Sequence, residues 1–340
     1  MPPERHRWAI RTDRVTPRCL PTGLPNGLPS GSRRLMRRHR TVHPVAQTVG
    51  LVAGWGAFPV EVARSLIAEG HLVVCVAIVD HADPQLESIC DHVKWSGVGR
   101  LGTHLRYFRR HGADAVTMAG KLFKTDLLYS GSVWLRHTPD LTALRTFGPL
   151  LFGRRRDTRD DQLLGAVTRT YQNAGLPVCP ATDYAPELLV KSEHIAGPKI
   201  TPKIESDIAA GWRMARAMGG MDVGQTITIK DGTVIAVEAV EGTDACLKRS
   251  GELCRRGGWT MVKVAKPDQD MRFDVPTIGP QTVENVARGG GVAIAIEANR
   301  TILVQREATI QTAKRNGVSI IAYPADRFEQ TIESATRHAA

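Results

Sequence analysis

Between Lys266 and Thr277 the sequence Lys-Pro-Asp-Gln-Asp-Met-Arg-Phe-Asp-Val-Pro-Thr gathers Asp268, Asp270 and Asp274 with Lys266, Arg272 and Gln269. Carboxylates at that density suit a hard divalent cation, which takes oxygen ligands and completes its shell with an anionic substrate, while the two cations suit phosphate oxygens. A solvated surface loop whose charges pair with one another is the plainer alternative. A second polar stretch runs Glu238-Ala-Val-Glu-Gly-Thr-Asp244 and adds Glu241, Gly242, Thr243 and Asp244 to Glu238. If both stretches are loops at the ends of neighbouring strands, their charged groups converge at one edge of a sheet.

The elements around them support that placement. Residues 259–265 read as a strand that Pro267 stops, and Gly279-Pro280 opens a helix over 280–288, so the polar loop is held at both ends. Upstream, Asp231-Gly232 joins strands 225–230 and 233–239 as a hairpin, and Thr243 caps a helix to about residue 256. Residues 203–218 place Ile204, Ile208, Trp212 and Ala215 on one helical face. Strands at 292–296, 300–304 and 318–323 and a helix over 306–316 complete an α/β domain, assigned to 183–325, with a short tail over 326–340.

The first half begins differently. Residues 48–53 form an apolar strand, Gly54-Trp-Gly-Ala-Phe-Pro59 a glycine turn, 60–69 an amphipathic helix and 72–79 a second strand. This βαβ unit presents a helix N-terminus to an anion, with Gly54 and Gly56 as candidate phosphate contacts. Pro59 stands where the third glycine of a dinucleotide fingerprint belongs, which favours phosphate or mononucleotide contact over NAD. A helix over 102–111 and a strand over 115–119 lead into Gly120-Lys121, and Lys121 or Lys124 at that carboxyl end could meet a phosphate. Residues 126–150 read as a loosely helical connection. Asp160 and Asp161 open a helix to residue 173, where acidic residues already suit a helix N-terminus. The expectation is two α/β domains, the first a Rossmann-like open sheet over 48–182.

A net charge of +11 invites a nucleic-acid partner, but its location argues otherwise. Residues 1–47 hold ten Arg and no Lys against Glu4 and Asp13, an excess of +8, in a Pro- and Gly-rich stretch that reads as a disordered basic tail. It lacks aromatic interleaving and helical period, so no nucleic acid is expected. The six cysteines form no CxxC pair and read as reduced thiols, and no apolar run is long enough to cross a membrane. A soluble cytoplasmic protein is the default expectation.

The two polar stretches, taken with Gly-Leu-Val-Ala-Gly-Trp-Gly-Ala-Phe-Pro at 50–59, Ala-Gly-Lys at 119–121 and Asp-Asp-Gln-Leu-Leu at 160–164, closely resemble the LpxI-type UDP-2,3-diacylglucosamine pyrophosphatases. The resemblance covers roughly residues 49–323. It implies a two-domain hydrolase of lipid A biosynthesis, dependent on Mg2+ or Mn2+, that cleaves UDP-2,3-diacylglucosamine to UMP and 2,3-diacylglucosamine 1-phosphate (lipid X) in a cleft between the domains. Asp274 would bind metal and activate water, with Asp270 as a second ligand, and Lys266 and Arg272 would hold phosphate oxygens. Glu241, Gly242, Thr243 and Asp244, with Gln269 and Thr277, would contact substrate, joined by Gly54, Gly56, Lys121 and Asp161. The same resemblance implies transient contact with the inner-membrane surface and leaves a homo-oligomer open. Two other functions are weighed beside it: a nicotinamide-dependent oxidoreductase built on the first βαβ unit, and a noncatalytic anionic-lipid or nucleic-acid binder led by the Arg-rich tail.

Overall fold

The computed structural model describes residues 46–122, 137–152, 160–191 and 193–328, excepting the side chains of 151, 152, 160 and 161. Residues 1–45 of the basic tail, Lys124, the Asp161 side chain and the last twelve residues lie outside this description.

The first sheet carries β1 (Thr48–Ala53), β2 (Leu72–Ile78), β3 (His92–Ser96), β4 (Ala115–Ala119) and β5 (Val178–Cys179) in the order β3-β2-β1-β4-β5. All four pairings are parallel. This is the open, Rossmann-like sheet expected, and its order reverses between β1 and β4, where such folds open a crevice at the carboxyl ends of the strands. Both faces are covered, as parallel sheets require. Helix α1 (Phe58–Ala68) buries Val60, Val62, Ala63 and Leu66 on one face. Helix α2 (Leu101–Arg110) buries Leu101, Leu105 and Phe108 on the other. Strand β3 escaped the sequence reading because His92-Val-Lys-Trp-Ser96 is only partly buried at the sheet edge. Of the connection expected over 126–150, the described part carries helix α3 (Leu141–Phe152), and α4 (Asp160–Asn173) comes later, while residues 126–136 lie outside the described residues.

Inside this domain His104 on α2 is 1% exposed. Its Nε2 lies 3.1 Å from both Ser96 Oγ and the Gly97 carbonyl, and its Nδ1 lies 3.3 Å from the Tyr171 hydroxyl. Burial lowers its pKa to about 4. The unfolded chain takes that proton near pH 6.5, so between these values the unfolded state binds more protons and stability falls as pH falls. Urea unfolding should lose roughly 2 kcal/mol between pH 7 and pH 5 from this group, and His104→Gln, although less stable at pH 7, should show a shallower loss. Equal slopes in the two proteins would contradict this assignment.

The second sheet is mixed, with β6 (Glu193–Ala196), β7 (Thr226–Lys230), β8 (Thr233–Val237), β9 (Trp259–Lys263), β11 (Gly291–Glu297) and β13 (Ser319–Tyr323) in the order β6-β13-β11-β9-β7-β8. Its three central strands are parallel and the outer pairings antiparallel. Helix α5 (Pro202–Gly220) starts at the cap Thr201 and packs Ile208, Trp212 and Ala215 against one face. Helices α6 (Thr243–Leu253), α7 (Pro280–Arg288) and α8 (Arg306–Asn316) follow, and buried side chains on each, Leu247, Val283, Val286 and Ala313, join a core around Trp259. The Asp231-Gly232 turn has positive φ at both residues (51° and 74°), as a two-residue hairpin demands. The buried Asp207 carboxylate on α5 accepts from both turn N–H groups at 3.0 and 2.7 Å, a tie that only the packed helix reveals.

Residues 326–328, assigned above to a tail, belong to a 3-10 turn that seats Phe328 against Trp212 and Tyr323. Cys75, Cys90, Cys246 and Cys254 are free thiols. Among the described residues no helix is long and apolar enough to cross a membrane.

Candidate active site between the two sheets

The segment that leads out of the first domain is tied to the second through backbone. Leu189 bridges Ile302, Val190 N–H donates to the Thr301 carbonyl, and Asn299 N–H donates to that of Val190. On the other side the Gln305 N–H donates to Glu61 Oε1 of α1 at 2.7 Å. Between these contacts lies a cleft of about 1220 Å³.

The first domain supplies the cleft with the turn after β1 and the end of β4. Gly54 lacks a side chain for a backbone reason: a Cβ there would lie 2.8 Å from the Lys121 carbonyl oxygen. That approach lets Trp55 and Lys121 exchange backbone hydrogen bonds of 2.9 and 3.0 Å, closing β1 onto β4. Gly56 has φ 103°, open to glycine at little cost. Both glycines and Lys121 line the cleft.

The second domain supplies most of the charged loop residues. After β9 the chain is pinned where Ala265 N–H donates to Glu297 Oε2 at 2.9 Å, Glu297 being fully buried beside Arg216 and Arg300. It is pinned again where β10 (Thr277–Ile278) pairs with β12 (Ile302–Leu303). Between these anchors Asp274 adopts φ 56°, a left-handed conformation that Asp tolerates better than most residues. Its side chain is 41% exposed, and its Oδ2 lies 3.6 Å from Lys266 Nζ. Lys266 is itself only 12% exposed and donates to Asp222 Oδ1 at 2.6 Å.

Asp274, Arg272, Thr277, Thr243 and Asp244 all line the cleft. Other expected site residues do not, and each has a visible occupation. Lys266 pairs with Asp222 and lies 3.6 Å from Asp274, and it is not among the residues that line the cleft. Asp270 receives Arg272 through both carboxylate oxygens, at 2.5–3.1 Å. Burial opposes its ionisation, but Arg272 outweighs this and holds the carboxyl below its ordinary range. The buried Gln269 spends its amide N–H groups on the carbonyls of Asp270 and Phe273, stapling the loop. Glu241 pairs with Arg249 at 3.1 Å. Gly242 forms the N-cap of α6 at φ 82°, where a Cβ would stand 3.3 Å from Lys121 Nζ.

Lys263, which the sequence reading passed over, completes the wall beside Thr243 and Glu238, which it named. Lys263 at the end of β9 donates to Thr243 Oγ1 at 2.8 Å, and Thr243 donates onward to Glu238 Oε1 at 2.6 Å. Burial would raise the Glu238 carboxyl, yet the Lys263 charge and hydrogen bonds hold it low. A lysine inside the apolar run Trp259-Thr-Met-Val-Lys263 was the available signal.

Among the described residues no three His, Cys, Asp or Glu side chains form a metal-holding group. Asp270 is engaged by Arg272; among the described residues that line the cleft, the Asp274 carboxylate could hold a hard cation together with oxygens of a substrate, a common mode for Mg2+.

Comparison with known proteins now decides the family. Residues 48–188 match the LpxI N-terminal domain and residues 191–321 the LpxI C-terminal domain. The chain belongs to the LpxI family. It is 32% identical over 280 residues to UDP-2,3-diacylglucosamine pyrophosphatase LpxI of Caulobacter vibrioides, covering 80% of this chain and 96% of that relative. In this LpxI chain the two matched domains are the two that wall the cleft.

Proposed function

We propose that this protein hydrolyses UDP-2,3-diacylglucosamine to UMP and 2,3-diacylglucosamine 1-phosphate, a step of lipid A biosynthesis, in the cleft between its domains. The observation that carries this reading is the division of the cleft. Its lining brings Asp274, Arg272 and Lys263 of the second domain together with Lys121 of the first, and beside them lies an apolar stretch of Ile78, Met118, Leu144, Phe147 and Leu163. A ligand filling both ends needs an anionic group joined to long apolar ones, as a nucleotide-linked diacyl sugar is. Each buried methylene is worth about 0.8 kcal/mol, so the acyl chains supply binding while the charged end supplies chemistry.

Asp274 positions and deprotonates the attacking water, Lys266 and Asp222 hold that carboxylate in place, and Arg272 takes charge from the phosphates. Water forms the new P–O bond, the anhydride bond breaks, and UMP departs. A hard cation such as Mg2+ or Mn2+ at Asp274 would offset the repulsion that an anionic diphosphate offers to an oxygen nucleophile. Trp55 and Leu144, both about half exposed, line the same cleft and place apolar surface beside it, which supports uptake of a lipid from a membrane surface. The test is UMP release from UDP-2,3-diacylglucosamine by the full chain. Release is expected with Mg2+ and should stop with a chelator; no release from folded, metal-supplemented protein would refute the reading.

A further inference from the structure

We propose that Lys263 is a phosphate-binding cation of this site, aimed at the nucleotide diphosphate by Thr243 and Glu238. The inference rests on the functional reading above, because the ligand it names is that diphosphate.

Lys263 occupies a position that packing alone would give to an apolar residue. Every residue of β9 is buried, and Lys263 is 6% exposed. Burying an ammonium costs several kcal/mol unless it is compensated, and a well-packed apolar pair is often no less stable than a buried ion pair. A charge kept there against that cost needs a use.

Proton counting gives the direction of the chain. Thr243 has one hydroxyl proton, and it goes to Glu238 Oε1 at 2.6 Å, so Thr243 meets Lys263 as an acceptor. Thr243 therefore has no proton left to donate to a ligand. Lys263 has three N–H donors and spends one on Thr243, leaving two in a residue that lines the cleft. Glu238, 9% exposed, supplies the compensating charge and also lines the cleft. The cation is thus held in place before substrate arrives, and preorganised charge of this kind is worth more than charge that must be assembled.

The neighbouring turn repeats the pattern from the other domain. Lys121 Nζ stands so close to Gly242, the residue before Thr243, that a Cβ at 242 would come within 3.3 Å of it. Two lysines from opposite walls therefore meet at the start of α6. Glu238 and Asp244 face the same region, and the Asp244 Oδ1 is taken by Asn285 Nδ2 at 2.9 Å.

Lys263→Met alone would orphan the Glu238 carboxylate and endanger folding. The pair Lys263→Met with Glu238→Gln removes both charges together. The experiment is calorimetric titration of UDP into the full chain with Mg2+, with thermal unfolding of each protein measured alongside. The double variant should unfold close to wild type and bind UDP at least about tenfold more weakly, as loss of a charge-assisted hydrogen bond predicts. Thr243→Val, which keeps the lysine and removes its guide, should weaken binding by several-fold, and Thr243→Ser should restore it. A folded double variant that binds UDP as wild type does would make Lys263 and Glu238 a structural staple and overturn the proposal alone. Failure of wild type to bind UDP would overturn the functional reading and this inference with it.

Discussion

Asp274→Asn should lower kcat for UMP release by about three orders of magnitude, the scale expected when a group acting on the attacking water is removed. Its melting temperature should stay near that of wild type. The expectation comes from three features of the one residue: Asp274 lines the cleft, its side chain is 41% exposed, and its backbone is left-handed at φ 56°. An exposed carboxylate contributes little packing, so its loss should spare the fold. Asn is the informative replacement because it also tolerates positive φ, whereas Ala would add strain of about 1–2 kcal/mol. Asp268, two residues before Asp270 on the same loop, is exposed and does not line the cleft, so Asp268→Ala should keep most of the activity. Equal losses at 268 and 274, or an active Asp274→Asn enzyme, would remove Asp274 from the chemistry.

Lys266→Met should reduce kcat by about a hundredfold while leaving KM nearly unchanged, because it misplaces a catalytic carboxylate without removing a substrate contact. Lys266 is 12% exposed, 2.6 Å from Asp222 and 3.6 Å from Asp274, and it does not line the cleft. Removing it also leaves Asp222 partly buried without this partner, at a cost of about 1–3 kcal/mol. Adding Asp222→Asn should restore most of the stability and little of the rate. A double variant that regains both would mean that Lys266 serves the fold alone. A rise in KM with kcat intact would return Lys266 to direct phosphate contact, the role its sequence position first suggested.

That difference over Lys266 marks where reading along the chain ends. Local signals found most of the fold: glycine and proline punctuation, the Asp231-Gly232 turn, and the period of Ile208, Trp212 and Ala215 on α5. Each works through contacts between residues close in sequence. The edge strands β3 and β6 were missed for the complementary reason: half-solvated and carrying His, Lys and Glu, they show no apolar run, and they are strands only because β2 and β13 offer them hydrogen bonds.

The site divides in the same way. Residue types and spacing pointed to a polar, phosphate-suited site, the resemblance of those motifs pointed to the family, and together they named Asp274, Arg272, Thr243, Lys121 and the glycine turn, all of which line one cleft. Side-chain chemistry is written in the sequence; the direction in which a side chain points is not. Only the tertiary structure turned Lys266 toward Asp222, closed Arg272 onto Asp270, and spent Gln269 on the loop backbone. It also brought Lys263 and Glu238, 25 residues apart in sequence, to the two sides of Thr243. Such pairings join strands and helices distant along the chain, and a charge finds its partner only when the sheet order β11-β9-β7-β8 has placed both.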